Sequence, residues 1–192
     1  MSQIIINENG IKQSSSFKVA STNNYQGLSA YFSGGPEGGV FKGRLVFRPK
    51  TSGGRLYCRI YDALNTEFVL RGMSRTHVQN DDQSYSVTDS QTYQYLTRYG
   101  VDDSTSLMFS VVNFTLVKQD RSDQAYGAFF ADTNWFYSST YPMASTTGFI
   151  IHHPTQAGYQ PSRITFWLAD GALFGTDSTL TIWDHCLIGD GT

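Results

Sequence analysis

Residues Arg55-Leu56-Tyr57-Cys58-Arg59-Ile60-Tyr61-Asp62 alternate strictly, with Leu56, Cys58 and Ile60 on one parity and Tyr57, Arg59 and Tyr61 on the other. Successive side chains of an extended chain leave opposite faces of the backbone, so a period of two marks a strand and conflicts with the helical period. The pattern returns in Ser162–Ala169, where Ile164, Phe166 and Leu168 alternate with Arg163, Thr165 and Trp167, and again in Ser178–Asp184. Val40–Arg48 and Leu107–Lys118 are longer runs rich in Val and Phe. Phe17–Ala20, Leu28–Ser33, Phe68–Arg71, Thr92–Tyr99, Ala125–Phe130 and Gly148–His152 are shorter strand candidates.

The segments between these runs carry turn chemistry. Gly34-Gly35-Pro36-Glu37-Gly38-Gly39 has neither strand pattern nor helix propensity and reads as a loop. Thr51-Ser52-Gly53-Gly54 reads as a hairpin turn joining Val40–Arg48 to Arg55–Asp62. Asn80-Asp81-Asp82-Gln83, Asp102-Asp103-Ser104-Thr105 and Asp170-Gly171 are further breaks, and Ala63–Leu70 has room for one helical turn. Many short, closely spaced strands describe an all-β chain, and the expected architecture is a single-domain antiparallel β-sandwich of jelly-roll type over residues 17–192. Residues 1–16 are the least patterned and are expected to form an N-terminal arm docking on a neighbour.

Composition agrees. The chain has 192 residues, enough for a self-sufficient core. Only 16% of them are charged, while aromatics reach 15% and there are 18 glycines, which excludes a helical bundle, a coiled coil and a charged disordered tail. The net charge is −2 and Lys and Arg form no run, so neither nucleic acid nor an anionic membrane is an expected partner. A surface of Ser, Thr, Asn, Gln and Tyr instead packs readily against protein, because little ionic desolvation opposes the contact. The start, Met1-Ser2-Gln3-Ile4-Ile5-Ile6-Asn7-Glu8, shows no signal peptide, and no stretch has the length of an apolar membrane span; synthesis and folding in a cytoplasm are expected.

No constellation of reactive residues emerges. Cys58 and Cys186 belong to no CxxC pair and read as two buried thiols, with a disulfide between them still open. The rings of His152 and His153 would leave a strand on opposite faces and could not chelate one ion, and His185 diverges from Cys186 in the same way. Glu8, Glu37 and Glu67 are scattered, and Asp81-Asp82 and Asp102-Asp103 sit where turns want Asp, so no carboxylate pair suited to glycoside hydrolysis stands out. The chain is expected to be no enzyme and to need no cofactor and no metal. The suggestive stretch is Tyr126–Tyr141, in which aromatics sit among Ser, Thr and Asn. Trp135, Tyr137 and Tyr141 are its candidates for contact with a partner protein or a glycan.

The C-terminal stretch Ile164-Thr165-Phe166 … Gly171 … Phe174-Gly175-Thr176-Asp177-Ser178-Thr179-Leu180-Thr181-Ile182-Trp183-Asp184 resembles the closing motif of a family of tailed-bacteriophage virion proteins. In that family an Ile-rich strand leads to a Gly-x-Phe turn, Gly-Ser, a last strand and Leu-Tyr-Gly. Phe174 and Ser178 match, whereas Asp177 and Asp184 stand where the family has Gly, an exchange that Asp tolerates because it enters positive φ more easily than most residues. Phe68-Val69-Leu70-Arg71-Gly72 … Arg75 is similar to an earlier strand of the same family. The resemblance implies a virion β-sandwich used in decoration, tail or fibre roles, often as a homotrimer, and transfers no catalytic residue. The expected function is that of a capsid decoration (cement) protein, adhering to itself and to the major capsid protein. The alternative is a tail or fibre receptor-binding module for a host surface glycan.

Overall fold

A computed structural model describes residues 13–18, 25–31, 39–50, 53–78, 81–101, 109–118, 127–138, 141–152 and 161–185. Among the described residues twelve strands run in chain order: β1 Gln13–Lys18, β2 Gly27–Tyr31, β3 Val40–Phe47, β4 Leu56–Tyr61, β5 Val69–Val78, β6 Asp81–Gln91, β7 Gln94–Tyr95, β8 Ser110–Lys118, β9 Gly127–Ser138, β10 Tyr141–His152, β11 Arg163–Leu168 and β12 Thr179–His185. They form two antiparallel sheets, an eight-stranded one ordered β1-β12-β3-β8-β9-β10-β5-β6 and a four-stranded one ordered β2-β11-β4-β7, an arrangement consistent with a β-sandwich. Among the described residues no helix is long and apolar enough to cross a membrane.

The alternation read from the sequence is what divides core from surface. Leu56, Cys58 and Ile60 of β4 and Ile164, Phe166 and Leu168 of β11 are all fully buried. They face Phe41, Leu45 and Phe47 of β3, Val112, Phe114 and Leu116 of β8, and Phe129 of β9, in one continuous cluster. Phe166 meets Phe114 across the two sheets with ring centroids 5.1 Å apart, and Phe129 stacks between Phe114 and Phe149 at 5.8 and 4.7 Å. Each such ring removes a large apolar surface from water, and offset stacking adds about 1 kcal/mol per pair to the burial term.

Three local expectations are corrected. The turn at Gly53-Gly54 closes no hairpin: β3 lies in the large sheet and β4 in the small one, so this segment carries the chain from one sheet to the other. It is anchored by Gly53 and Val101, whose N–H groups donate to the carbonyls of Val101 and Gly54. Ala63–Leu70 holds no helical turn. The buried Asp62 carboxylate accepts from the N–H groups of Leu64 at 2.8 Å and Thr66 at 2.7 Å, Asn65 takes φ 65°, and the chain is back in extended form at Val69. Such side-chain capture of nearby backbone donors offers the chain an alternative to helix. Asn80-Asp81-Asp82-Gln83 is a shorter break than its composition suggests, because β6 already begins at Asp81.

At one edge β1 pairs with β12 with Gln13 opposite Asp184, so Gln13–Ser16, inside the stretch read as an arm, belong to the large sheet. The Phe174 motif acts as a clamp between the elements. Phe174 is fully buried, its ring meets Phe47 edge-on at 5.7 Å, and its N–H donates to the Tyr25 carbonyl. Asp177 takes φ 67°, in the left-handed region, and Asp184 lies inside β12 rather than in a turn.

Candidate functional site

Trp135 is 1% exposed and points into the core, so it is not part of an exposed aromatic platform. The reason is parity: in β9 Phe129, Ala131, Thr133 and Trp135 face inward, whereas Phe130, Asp132 and Asn134 face outward. Tyr137 and Tyr141 lie on the facing ends of β9 and β10, where Tyr141 pairs with Ser138, and their side chains fall outside the described residues. His153 and Cys186 also lie outside them. Cys58 is a free, fully buried thiol whose pKa burial pushes up, which leaves it protonated and unreactive. Among the described residues no three His, Cys, Asp or Glu side chains gather as a metal would require.

Two surfaces do gather chemistry, and both lie on the outward parity of strands. The first is the outer face of the four-stranded sheet. Register places Gly27, Trp167, Tyr57 and Tyr95 in one row across β2, β11, β4 and β7, and Tyr31, Arg163 and Tyr61 in another. The indole of Trp167 lies over Gly27, where a side-chain carbon would stand 3.0 Å from the ring, so the glycine makes room for it. Tyr57, Tyr93 and Tyr95 meet edge to face with centroids 5.4 to 5.8 Å apart.

Arginines interleave these rings. The Arg55 guanidinium stands 3.7 Å from the Tyr95 centroid, and that of Arg163 stands 4.1 Å from Tyr61 and 5.8 Å from Tyr31. Arg59 donates to Glu67 Oε1 at 2.6 Å. Burial works against the Arg59 charge, but the Glu67 carboxylate and Tyr61 outweigh it and hold its pKa above the ordinary value. The Tyr57 hydroxyl is shifted upward mainly by burial, partly opposed by Arg59, and stays neutral. Cation–π contacts and edge stacking hold these side chains before any partner arrives, so less rotamer entropy is lost on binding.

The second surface is the outer face of the eight-stranded sheet. One row runs Trp183, Lys42, Thr115, Phe130, Gly148 and Met73 across β12, β3, β8, β9, β10 and β5. Phe130 and Met73 are exposed, and the Phe130 ring lies over Gly148. The next row is polar, with Arg44 Nε donating to Asn113 Oδ1 at 2.8 Å and Thr146 Oγ1 donating to Asp132 Oδ1 at 3.2 Å. Between Trp183 and Phe130 these two rows enclose an open groove of about 420 Å³.

Composition drew attention to the aromatic-dense segment around Trp135 and away from these faces. The usable signal was parity: Tyr57, Arg59, Arg163 and Trp167 occupy strand positions that a solvated face normally gives to small polar residues. No family model matches the chain, and neither does any curated protein or solved structure.

Proposed function

We propose that this chain is a non-enzymatic virion structural protein of the tailed-phage type, most simply a capsid decoration protein, which adheres through the outer face of its four-stranded sheet. The observation that carries the reading is the row of Trp167, Tyr57 and Tyr95 braced by Arg55. Tyr, Trp and Arg are the residue types that dominate the energetics of protein interfaces. The partners are further copies of the chain, as a homotrimer, and the major capsid protein. The repeated passage of the chain between the sheets, on entering and on leaving each of β2, β4, β7 and β11, supports a jelly-roll type of winding. The likeness of the Phe174–Asp184 stretch to a virion closing motif supports the particle setting, since Phe174 and Ser178 do the structural work such a motif would need.

The test is binding of the purified chain to capsids lacking a decoration protein, together with its mass in solution. A symmetric oligomer that saturates the capsid, and at least tenfold weaker binding for Tyr57→Ala, Tyr95→Ala and Trp167→Ala, is the expected result. A monomer without affinity for any capsid removes the proposal.

A further inference from the structure

We infer that the groove on the outer face of the eight-stranded sheet binds a linear oligosaccharide. It lies on the sheet face opposite to the adhesive one, so it goes beyond the adhesion reading and does not depend on it. Its two ends are aromatic. Trp183 and Phe130 stand in one register row with Lys42 and Thr115 between them, three strand spacings or about 14 Å apart. That span exceeds a single sugar ring and suits a short run of rings laid across the strands. Phe130 is 53% exposed and rests over Gly148, whose lack of a side chain lets the ring lie low beside the groove. An aromatic face offers the apolar side of a pyranose a stacking surface without demanding any hydrogen bond from it.

The floor supplies the polar half of the recognition. Arg44 donates to the Asn113 amide oxygen, which fixes the orientation of the amide and leaves its NH2 group available as a donor to a ligand. Thr146 occupies one oxygen of Asp132, which leaves the other as an acceptor. Lys42 adds a cationic donor beside them, in the row of the two rings. Donor, acceptor and donor set side by side between stacking rings match a ligand whose hydroxyls each donate and accept. A protein partner fits this groove less well, because Asn113, Asp132 and Lys42 would each have to be desolvated against a rigid surface with matching groups. Water-exposed sugar hydroxyls keep part of their hydration when bound.

The experiment uses the full chain and follows tryptophan fluorescence and calorimetric heats with cellohexaose, chitohexaose and maltohexaose, alongside a printed array of bacterial and host glycans. Saturable binding to at least one glycan class is expected. Trp183→Ala and Phe130→Ala each lower that affinity at least tenfold, and Asn113→Ala lowers it severalfold. Tyr95→Ala, on the other sheet, leaves glycan binding unchanged while weakening capsid binding, which separates failure of this inference from failure of the adhesion reading. Asn113 is exposed, so its variant keeps the test valid if Trp183→Ala does not fold. No binding on the array or to the three hexasaccharides overturns the inference. So does binding indifferent to Trp183 and Asn113, or a change of oligomeric mass as the only effect of these variants, which would make the groove a contact between copies.

Discussion

Ser178 Oγ donates to the carbonyl of Gly175 at 2.7 Å from a fully buried position, and the Ser178 N–H reaches the same carbonyl at 3.3 Å. With Asp177 at φ 67° between them, this closes the turn that carries Phe174 into the core. Ser178→Ala removes the hydroxyl that also lies 3.4 Å from the Arg48 N–H. A loss of about 1–2 kcal/mol in denaturant unfolding is expected, with a slope unchanged from the parent. A neutral result would show that the turn holds without its hydroxyl.

Gly43 and Phe114 face each other across β3 and β8, and the Phe114 ring lies directly over the glycine on the core side. A methyl group at position 43 would collide with that ring. Gly43→Ala should therefore destabilise by about 1–3 kcal/mol, the usual range for overpacking. Adding Phe114→Leu should recover part of the loss, so the double variant is more stable than additivity predicts. Additive losses would place the clash elsewhere.

Thr147 is completely buried in β10, and its hydroxyl has no hydrogen-bond partner among the described residues. Replacing it with an isosteric methyl removes an uncompensated desolvation term. Thr147→Val should leave stability unchanged or raise it by about 1 kcal/mol, measured by thermal and denaturant unfolding. A clear loss would reveal a partner for that oxygen.

Burial raises the Cys58 thiol pKa from its ordinary 9.0. Above that value the unfolded chain releases a proton that the folded chain keeps, so stability falls as the solution becomes alkaline, by about 1.4 kcal/mol per pH unit for this one group. The difference in stability between about pH 8 and about pH 10 should shrink in Cys58→Val. In a Cys186→Ser background, Cys58 should react with a thiol reagent only after unfolding. Rapid reaction of the folded protein would contradict its burial.

The fold was legible where period two was unbroken. Leu56, Cys58, Ile60, Ile164, Phe166 and Leu168 were readable as one core because apolar and polar parities separate cleanly in β4 and β11. β6 was missed because Asp81-Asp82-Gln83-Ser84 has turn composition, and its place comes from pairing with β5, with Ser84 opposite Thr76. Tertiary pairing overrides local propensity in such edge strands. Gly53-Gly54 misled in the other direction, since turn residues serve a passage between sheets as well as a hairpin and sequence does not reveal the partner strand. The candidate surfaces were only half legible. Counting aromatics pointed to Trp135, which the parity of β9 buries, whereas Trp183, Lys42, Asn113 and Phe130 come onto one face through the register of β12 and β3 with β8 and β9, which lie far from them in the chain.

The placement of Gln13 across from Asp184 means that the first described strand and the last are immediate neighbours. A circularly permuted polypeptide that ties these two together with a short hairpin and opens at an exposed turn instead would lay down the same strand order.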